Sequence, residues 1–161
     1  MNYVIEVLNG SDGDYREAGA RTLPKLFGYI NPSNCNMVKM IDLWNITLRA
    51  CDDTRDNVRR VATVAAKDLC SITVRIVSEG DSVPKWIDEL ITLIINDYIE
   101  SVSTPSVIIG ISILHTWVKN EKALPLLLKH ASRMVPILIQ KSAITEQINV
   151  SKGMFKIIYT T

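Results

Sequence analysis

Two oppositely charged side chains six positions apart, Asp53 and Arg59, form the pair in this sequence best placed to act on one another. A carboxylate in a turn and a guanidinium in the helix that follows can make a charge-assisted hydrogen bond. Such a pair can be a structural rung that satisfies turn amides and aligns neighbouring units, or a charge pair presented to a partner. The other reactive residue types are scattered. His115 and His130 have no cysteine or carboxylate at helical ligand spacing, which favours packed or hydrogen-bonded imidazoles over metal ligands or catalysts. Cys35, Cys51 and Cys70 are spaced 16 and 19 apart, which matches no metal template, and an odd count does not suggest a disulfide framework. Asp88 and Glu89 are adjacent on a predicted helix, so their side chains diverge and make a poor acid/base pair. Gly-x-Ser-x-Gly, the P-loop and Gly-x-Gly-x-x-Gly are all missing from the sequence. The reading is of a chain with no catalytic residue, no metal and no cofactor.

What remains is binding. Trp44, Trp86 and Trp117 could anchor a partner, since tryptophans are frequent interface hot spots. Trp44 falls on a core stripe, so Trp86, at a predicted helix start, is the better candidate. Arg55, Arg60 and Arg75 lie off the apolar stripe of their helix and join it as candidate partner-binding residues.

The elements that position these residues recur. An acidic turn, then an arginine, then a small-residue helix appears as Ser11-Asp12-Gly13-Asp14-Tyr15-Arg16-Glu17-Ala18-Gly19-Ala20. It returns as Asp52-Asp53-Thr54-Arg55-Asp56-Asn57-Val58-Arg59-Arg60-Val61-Ala62. Arg16 and Arg59 are 43 residues apart, a period of HEAT or armadillo helical hairpins. Each hairpin in such an array buries its apolar face against the next and leaves an extended surface. The expected fold is therefore all-α, a HEAT/armadillo-like α-solenoid. One array segment over 1–161 would hold about four hairpins, near 1–30, 37–77, 83–118 and 122–160. The ladder reads as incomplete: Arg16 has Gly10 six residues before it, and Val107 and Ile148 are followed by Ile108 and Asn149, not arginine.

Periodicity places helices at 15–29, shortened or kinked by Pro24, and at 37–51, where Met37, Met40, Ile41, Trp44, Leu48 and Cys51 share one face. Asp53 or Thr54 can cap a helix over 55–77, whose alanines at 62, 65 and 66 permit close approach. A linker at 78–82, a helix over 83–98 and a turn at 101–106 follow. The nearly uncharged run 107–118 is read as a buried helix, although its Val and Ile content also permits a strand. A helical stretch over 121–141 is expected to split or kink at Pro136, with a last arm over 145–159. The apolar run Gly153-Met154-Phe155-Lys156-Ile157-Ile158-Tyr159 would leave that arm with a sticky face.

Totals narrow the function classes. Apolar residues make up 47%, enough for a continuous core. There are 18 Lys+Arg against 17 Asp+Glu, balanced within each half, so no basic stripe is visible and nucleic acid is a poor default partner. The 12-residue run at 107–118 falls short of the ~20 residues a bilayer span needs. Glu6 and the lack of a basic lead argue against a signal peptide. The expectation is a cytoplasmic or nuclear chain with reduced thiols, in which the sequons at Asn45 and Asn149 are chance matches.

One segment says more. Leu43-Trp44-Asn45-Ile46-Thr47-Leu48-Arg49-Ala50-Cys51-Asp52-Asp53, continuing through Asn57-Val58-Arg59-Arg60-Val61-Ala62 to Leu69-Cys70-Ser71-Ile72-Thr73-Val74-Arg75, resembles the middle of the large HEAT-repeat proteasome adaptor and scaffold family. The resemblance is best over about residues 14–80, and members of that family are much longer than this chain. It implies a non-enzymatic scaffold that associates with proteasome subunits of the 26S particle, with no cofactor. The alternative is a generic HEAT adaptor of the nuclear-transport or phosphatase-regulatory type. A HEAT-like nucleic-acid binder stands lower, since it needs a basic face.

Overall fold

The computed structural model describes residues 2–35 and 39–142. Among them the chain is all-α, with no strand. It divides into two compact units, Met1–Trp86 and Ile87–Thr161.

The first unit holds α1 (Asn2–Leu8), α2 (Gly13–Phe27), α3 (Met40–Cys51) and α4 (Asp56–Glu79). Helix α1 packs on α2 and α3 on α4, each pair joined by a four-residue turn, and α2 also lies against α4. The unit is thus two helical hairpins whose second arms, α2 and α4, lie against each other. The periodic stripes explain the packing. Met40, Leu43, Trp44, Leu48 and Cys51 of α3 are buried against Val58, Ala62, Ala65, Leu69 and Ile76 of α4. Small residues set the spacing: a Cβ at Gly19 would stand 3.0 Å from Val7 Cγ1 and 3.1 Å from Leu8 Cγ, so α1 can approach α2 this closely only at a glycine. Inside the core the Trp44 indole N–H donates to the Thr73 hydroxyl at 3.2 Å, and that hydroxyl donates to the Leu69 carbonyl at 2.8 Å. Both side chains are fully buried, so the tryptophan's one polar group is satisfied.

Pro24 lies inside α2, which ends a turn later at Phe27, so it shortens the helix. The expected linker at 78–82 starts later than read, because α4 continues to Glu79. Gly80 ends it: its N–H donates to the Ile76 carbonyl at 3.0 Å, and a Cβ there would fall 2.7 Å from that oxygen.

The second unit holds α5 (Trp86–Leu93), which runs into a π-helical turn over Ile94–Ile99, then α6 (Thr104–Val118), α7 (Leu124–Leu128) and α8 (Ala131–Ser142). The run 107–118 is helical, and α6 starts at Thr104 with Pro105 in its first turn, inside the stretch expected to be a turn. Val107, Ile109, Ile111, Ile113, Leu114, Trp117 and Val118 are all buried. Gly110 lets α6 meet the π turn, since a Cβ there would stand 3.1 Å from both Tyr98 Cβ and Ile99 Cγ1. The expected break at Pro136 is instead at 129–130, and Pro136 sits within α8. The bond it forfeits is to the carbonyl of Ser132, an exposed residue whose oxygen can meet water. The last predicted arm, at 145–159, lies outside the described residues.

Candidate functional site

The polar feature with the most built geometry is in the first unit, where the turns of the two hairpins meet. It begins with local rules. Asp12 caps α2, its carboxylate accepting from the amides of Asp14 at 2.8 Å and Tyr15 at 3.4 Å. Asp53 does the related job before α4, accepting from the Arg55 amide at 2.9 Å. The residue that caps α4 is Arg55, which makes no side-chain cap bond, so neither Asp53 nor Thr54 is the cap.

One turn into each second arm stands an arginine that reaches back to the backbone. Arg16 Nη1 donates to the Gly10 carbonyl at 3.0 Å and to the Ser11 carbonyl at 2.8 Å. Arg59 Nη1 donates to the Asp53 carbonyl at 2.5 Å. Both contacts span six residues. The rung is thus formed by an arginine and a main-chain carbonyl, and glycine serves at position 10 as well as aspartate does at 53.

The carboxylate of Asp53 goes elsewhere, and this corrects the expected pairing. It takes a two-pronged contact from Arg16, Nε at 2.7 Å and Nη2 at 3.1 Å, which ties the second arm of one hairpin to the turn of the next. Arg59 meets Asp53 only through the backbone and pairs its charge with Asp56. A reciprocal contact runs the other way: Arg55, ahead of α4, crosses to Asp14 of α2. The Arg55 side chain lies over Gly13, where a Cβ would overlap it. Each hairpin therefore gives an arginine to an aspartate of the other.

The electrostatics follow. The Arg16 hydrogen bonds hold the Asp53 carboxyl below the usual carboxylate range against the opposing effect of burial, with the Arg55 amide, the Arg16 charge and Thr54 adding to them. The same hydrogen bond raises Arg16 above its ordinary value, again against burial. With side-chain exposures of 14% and 10%, this pair is shielded far more than Arg55–Asp14, at 50% and 86%. A cleft of about 280 Å³ opens beside it, with Leu8, Ile46 and Ala50 lining one part and Asn9, Arg16, Arg49 and Asp53 another.

The remaining candidates do not join this cluster. Arg60 is exposed on α4. Arg75 donates to the Ile30 carbonyl at 3.1 Å. Trp86 is half-buried, and its indole N–H meets no acceptor among the described residues. His130 Nε2 lies 3.3 Å from Asp88 Oδ1, and burial together with Lys119 lowers the pKa of His115. Burial pushes the Cys51 thiol up to about 12, only partly offset by a hydrogen bond with Thr63. Among the described residues no group of three or more His, Cys, Asp or Glu could hold a metal ion. No helix there is long and apolar enough to cross a membrane.

No family model matches the chain, and neither curated proteins nor solved structures include a match to it.

Proposed function

We propose that this chain is a non-enzymatic protein-binding scaffold, a segment of a HEAT/armadillo-like α-solenoid that associates with the 26S proteasome in the cytoplasm or nucleus. The observation that carries the array reading is the repeated arginine rung together with the Arg16–Asp53 fork between hairpins. A contact made by equivalent residues of successive hairpins, 43 positions apart, is what a translational repeat requires. The proteasome enters through the resemblance over residues 14–80. The absence of an activated nucleophile in the clasp supports a binding role: its carboxylate and guanidinium are spent on each other. A tagged full chain expressed in its own cells is expected to co-purify 26S subunits and to hydrolyse no peptide by itself. Recovery of karyopherin cargo or phosphatase subunits, with proteasome subunits at background, would move the assignment to the generic adaptor.

A further inference from the structure

Helix α2 carries an outward strip without a charge. Tyr15, Ala18, Thr22 and Leu26, with Tyr29 in the turn that follows, recur at steps of three or four residues and so share one side of the helix. Tyr15 is 66% and Tyr29 78% exposed, Ala18 and Thr22 are exposed, and Leu26 is half-buried. The repeat gives the same strip a different surrounding. Val58, Ala65 and Leu69 of α4 stand 43 positions after Tyr15, Thr22 and Leu26, and all three are 0% exposed. Each of these arms has its own first arm beside it, α1 for α2 and α3 for α4. Their other neighbours differ, since α4 has the preceding hairpin against it and α2 the following one. The strip that is covered on α4 and open on α2 is therefore the side that meets a further helix.

We infer that this strip docks on the same strip of a second copy of the chain, with the two α2 helices antiparallel. The charges of α2 select that occupant. Arg16 is turned toward Asp53, and the other four, Asp14, Glu17, Arg21 and Lys25, are again three or four residues apart and flank the strip along one edge. They are sorted by sign, acids in the first half of the helix and bases in the second. A two-fold antiparallel pairing sets the acidic half of one helix against the basic half of the other, twice, whereas a parallel pairing sets like against like. Asp14, although paired with Arg55, keeps 86% side-chain exposure, and Lys25 has no ion-pair partner among the described residues. With Asp14 opposite the second copy's Lys25 and Glu17 opposite its Arg21, Ala18 falls opposite Thr22 and Tyr15 opposite Leu26. Small residues then lie at the crossing and the tyrosines toward its ends. Helix α1, on the other flank, adds one charge, Glu6. The turn argues against the other arrangement, a further hairpin in the register of these two. Gly10 and Asp12 stand where Asp53 and Arg55 stand 43 residues later, so the carboxylate that takes the arginine fork is missing and an aspartate replaces the arginine that meets Asp14. At ~200 Å² for a tyrosine side chain, Tyr15 and Tyr29 alone offer about 300 Å² per copy, short of the ~800 Å² each partner gives to a stable complex. The dimer is accordingly weak, with a Kd of about 10–100 µM.

Sedimentation equilibrium of the full chain from about 5 to about 300 µM should show a reversible monomer–dimer exchange. Thr22→Glu sets two like charges at the crossing and should weaken it about tenfold or more. Thr22 is exposed and glutamate is a good helix former, so far-UV circular dichroism should match the wild type. Arg21→Glu should weaken the dimer about fivefold, and adding Glu17→Arg should bring it back to within about twofold of wild type, because both cross pairs return with their signs exchanged. Cross-linking reads the orientation. Ala18→Cys mixed with Thr22→Cys should give a disulfide between the two variants, while Tyr15→Cys alone should give none, its two copies standing about 16 Å apart along the helices. The native cysteines are buried and do not compete. A wild type that stays monomeric at about 300 µM overturns the proposal, and so does association that Thr22→Glu leaves unchanged. Disulfide formation by Tyr15→Cys alone, or a Glu17→Arg change that fails to rescue Arg21→Glu, overturns the antiparallel pairing and the proposal with it.

Discussion

Replacing Asp53 by asparagine tests whether the clasp joins the two hairpins or merely decorates their turns. The carboxylate accepts three bonds, two from Arg16 and one from the Arg55 amide. Asparagine keeps the volume and one acceptor but loses the charge and turns an N–H₂ group toward the guanidinium. Exposed ion pairs contribute up to about 1 kcal/mol, whereas breaking a buried pair costs about 3–5 kcal/mol. At 10% side-chain exposure Asp53 lies between those limits. The Arg16 head group also keeps the Gly10 and Ser11 carbonyls, so it is not orphaned. The expected cost of Asp53→Asn is therefore about 2 kcal/mol, in line with ~1.5–3 kcal/mol for a hydrogen bond to a charged group. With a urea slope of about 2 kcal/mol per molar, the midpoint should fall by about 1 M.

The pH dependence has a definite sign. The folded pKa of Asp53 is depressed, so between that value and the unfolded value near ~3.9 the unfolded chain binds more protons. The stabilisation is complete above the unfolded value and is lost as pH falls through the folded one. The gap between wild type and Asp53→Asn should thus be flat from about pH 8 to pH 5 and close below about pH 4. Urea melts followed by circular dichroism across that range provide the test. An Asp53→Asn midpoint within 0.2 M (roughly the error of such a melt) of wild type at pH 7 would refute the clasp, and so would a gap that widens in acid.

Four further substitutions or reactions probe the core, a helix end and a buried thiol. Thr73→Val removes the acceptor of the buried Trp44 N–H and should cost about 1–3 kcal/mol in urea melts, whereas Thr73→Ser, which keeps the hydroxyl, should cost less. Gly110→Ala places a methyl 3.1 Å from Tyr98 Cβ and Ile99 Cγ1 and should cost about 1–3 kcal/mol. Gly28→Ala, at φ −58° with its nearest neighbour the Lys25 carbonyl at 3.4 Å, should be neutral or stabilising by up to about 1 kcal/mol, as thermal melts would show. Cys51, buried and with its thiol pKa pushed up to about 12, should resist iodoacetamide at pH 8 until the chain is unfolded in urea, as mass spectrometry of the alkylated peptides would show.

The helices were legible because burial writes a 3.6-residue period into the sequence. Trp44, Leu48 and Cys51 on α3, and Ala62, Ala65 and Leu69 on α4, had to recur at that period for one face to be buried. Boundaries were less legible. They depend on single contacts, such as Gly80 closing on the Ile76 carbonyl and Pro105 entering the first turn of α6, that leave no periodic trace. The π turn over Ile94–Ile99 was invisible for another reason: its apolar residues fit an ordinary helix equally well, and it lies against the next helix, α6, where Gly110 stands close to it.

The site was half legible, and the missing half is of one kind. Asp53 and both arginines were recoverable from the repeated turn, but the pairing was sought between side chains at a fixed spacing. The rung uses a carbonyl, which every residue owns, so Gly10 looked like a gap when it was a partner. Freed from that rung, the Asp53 carboxylate is spent on Arg16, 37 residues away in sequence and on the neighbouring hairpin. Counts of charge along the chain also hide how the acids are used, since Asp53 and Asp56 are paired with Arg16 and Arg59. Net charge per stretch of sequence therefore says little about a helical hairpin surface. The quantity that matters is the charge left on each outward face once the carboxylates at the turns have been paired with arginines.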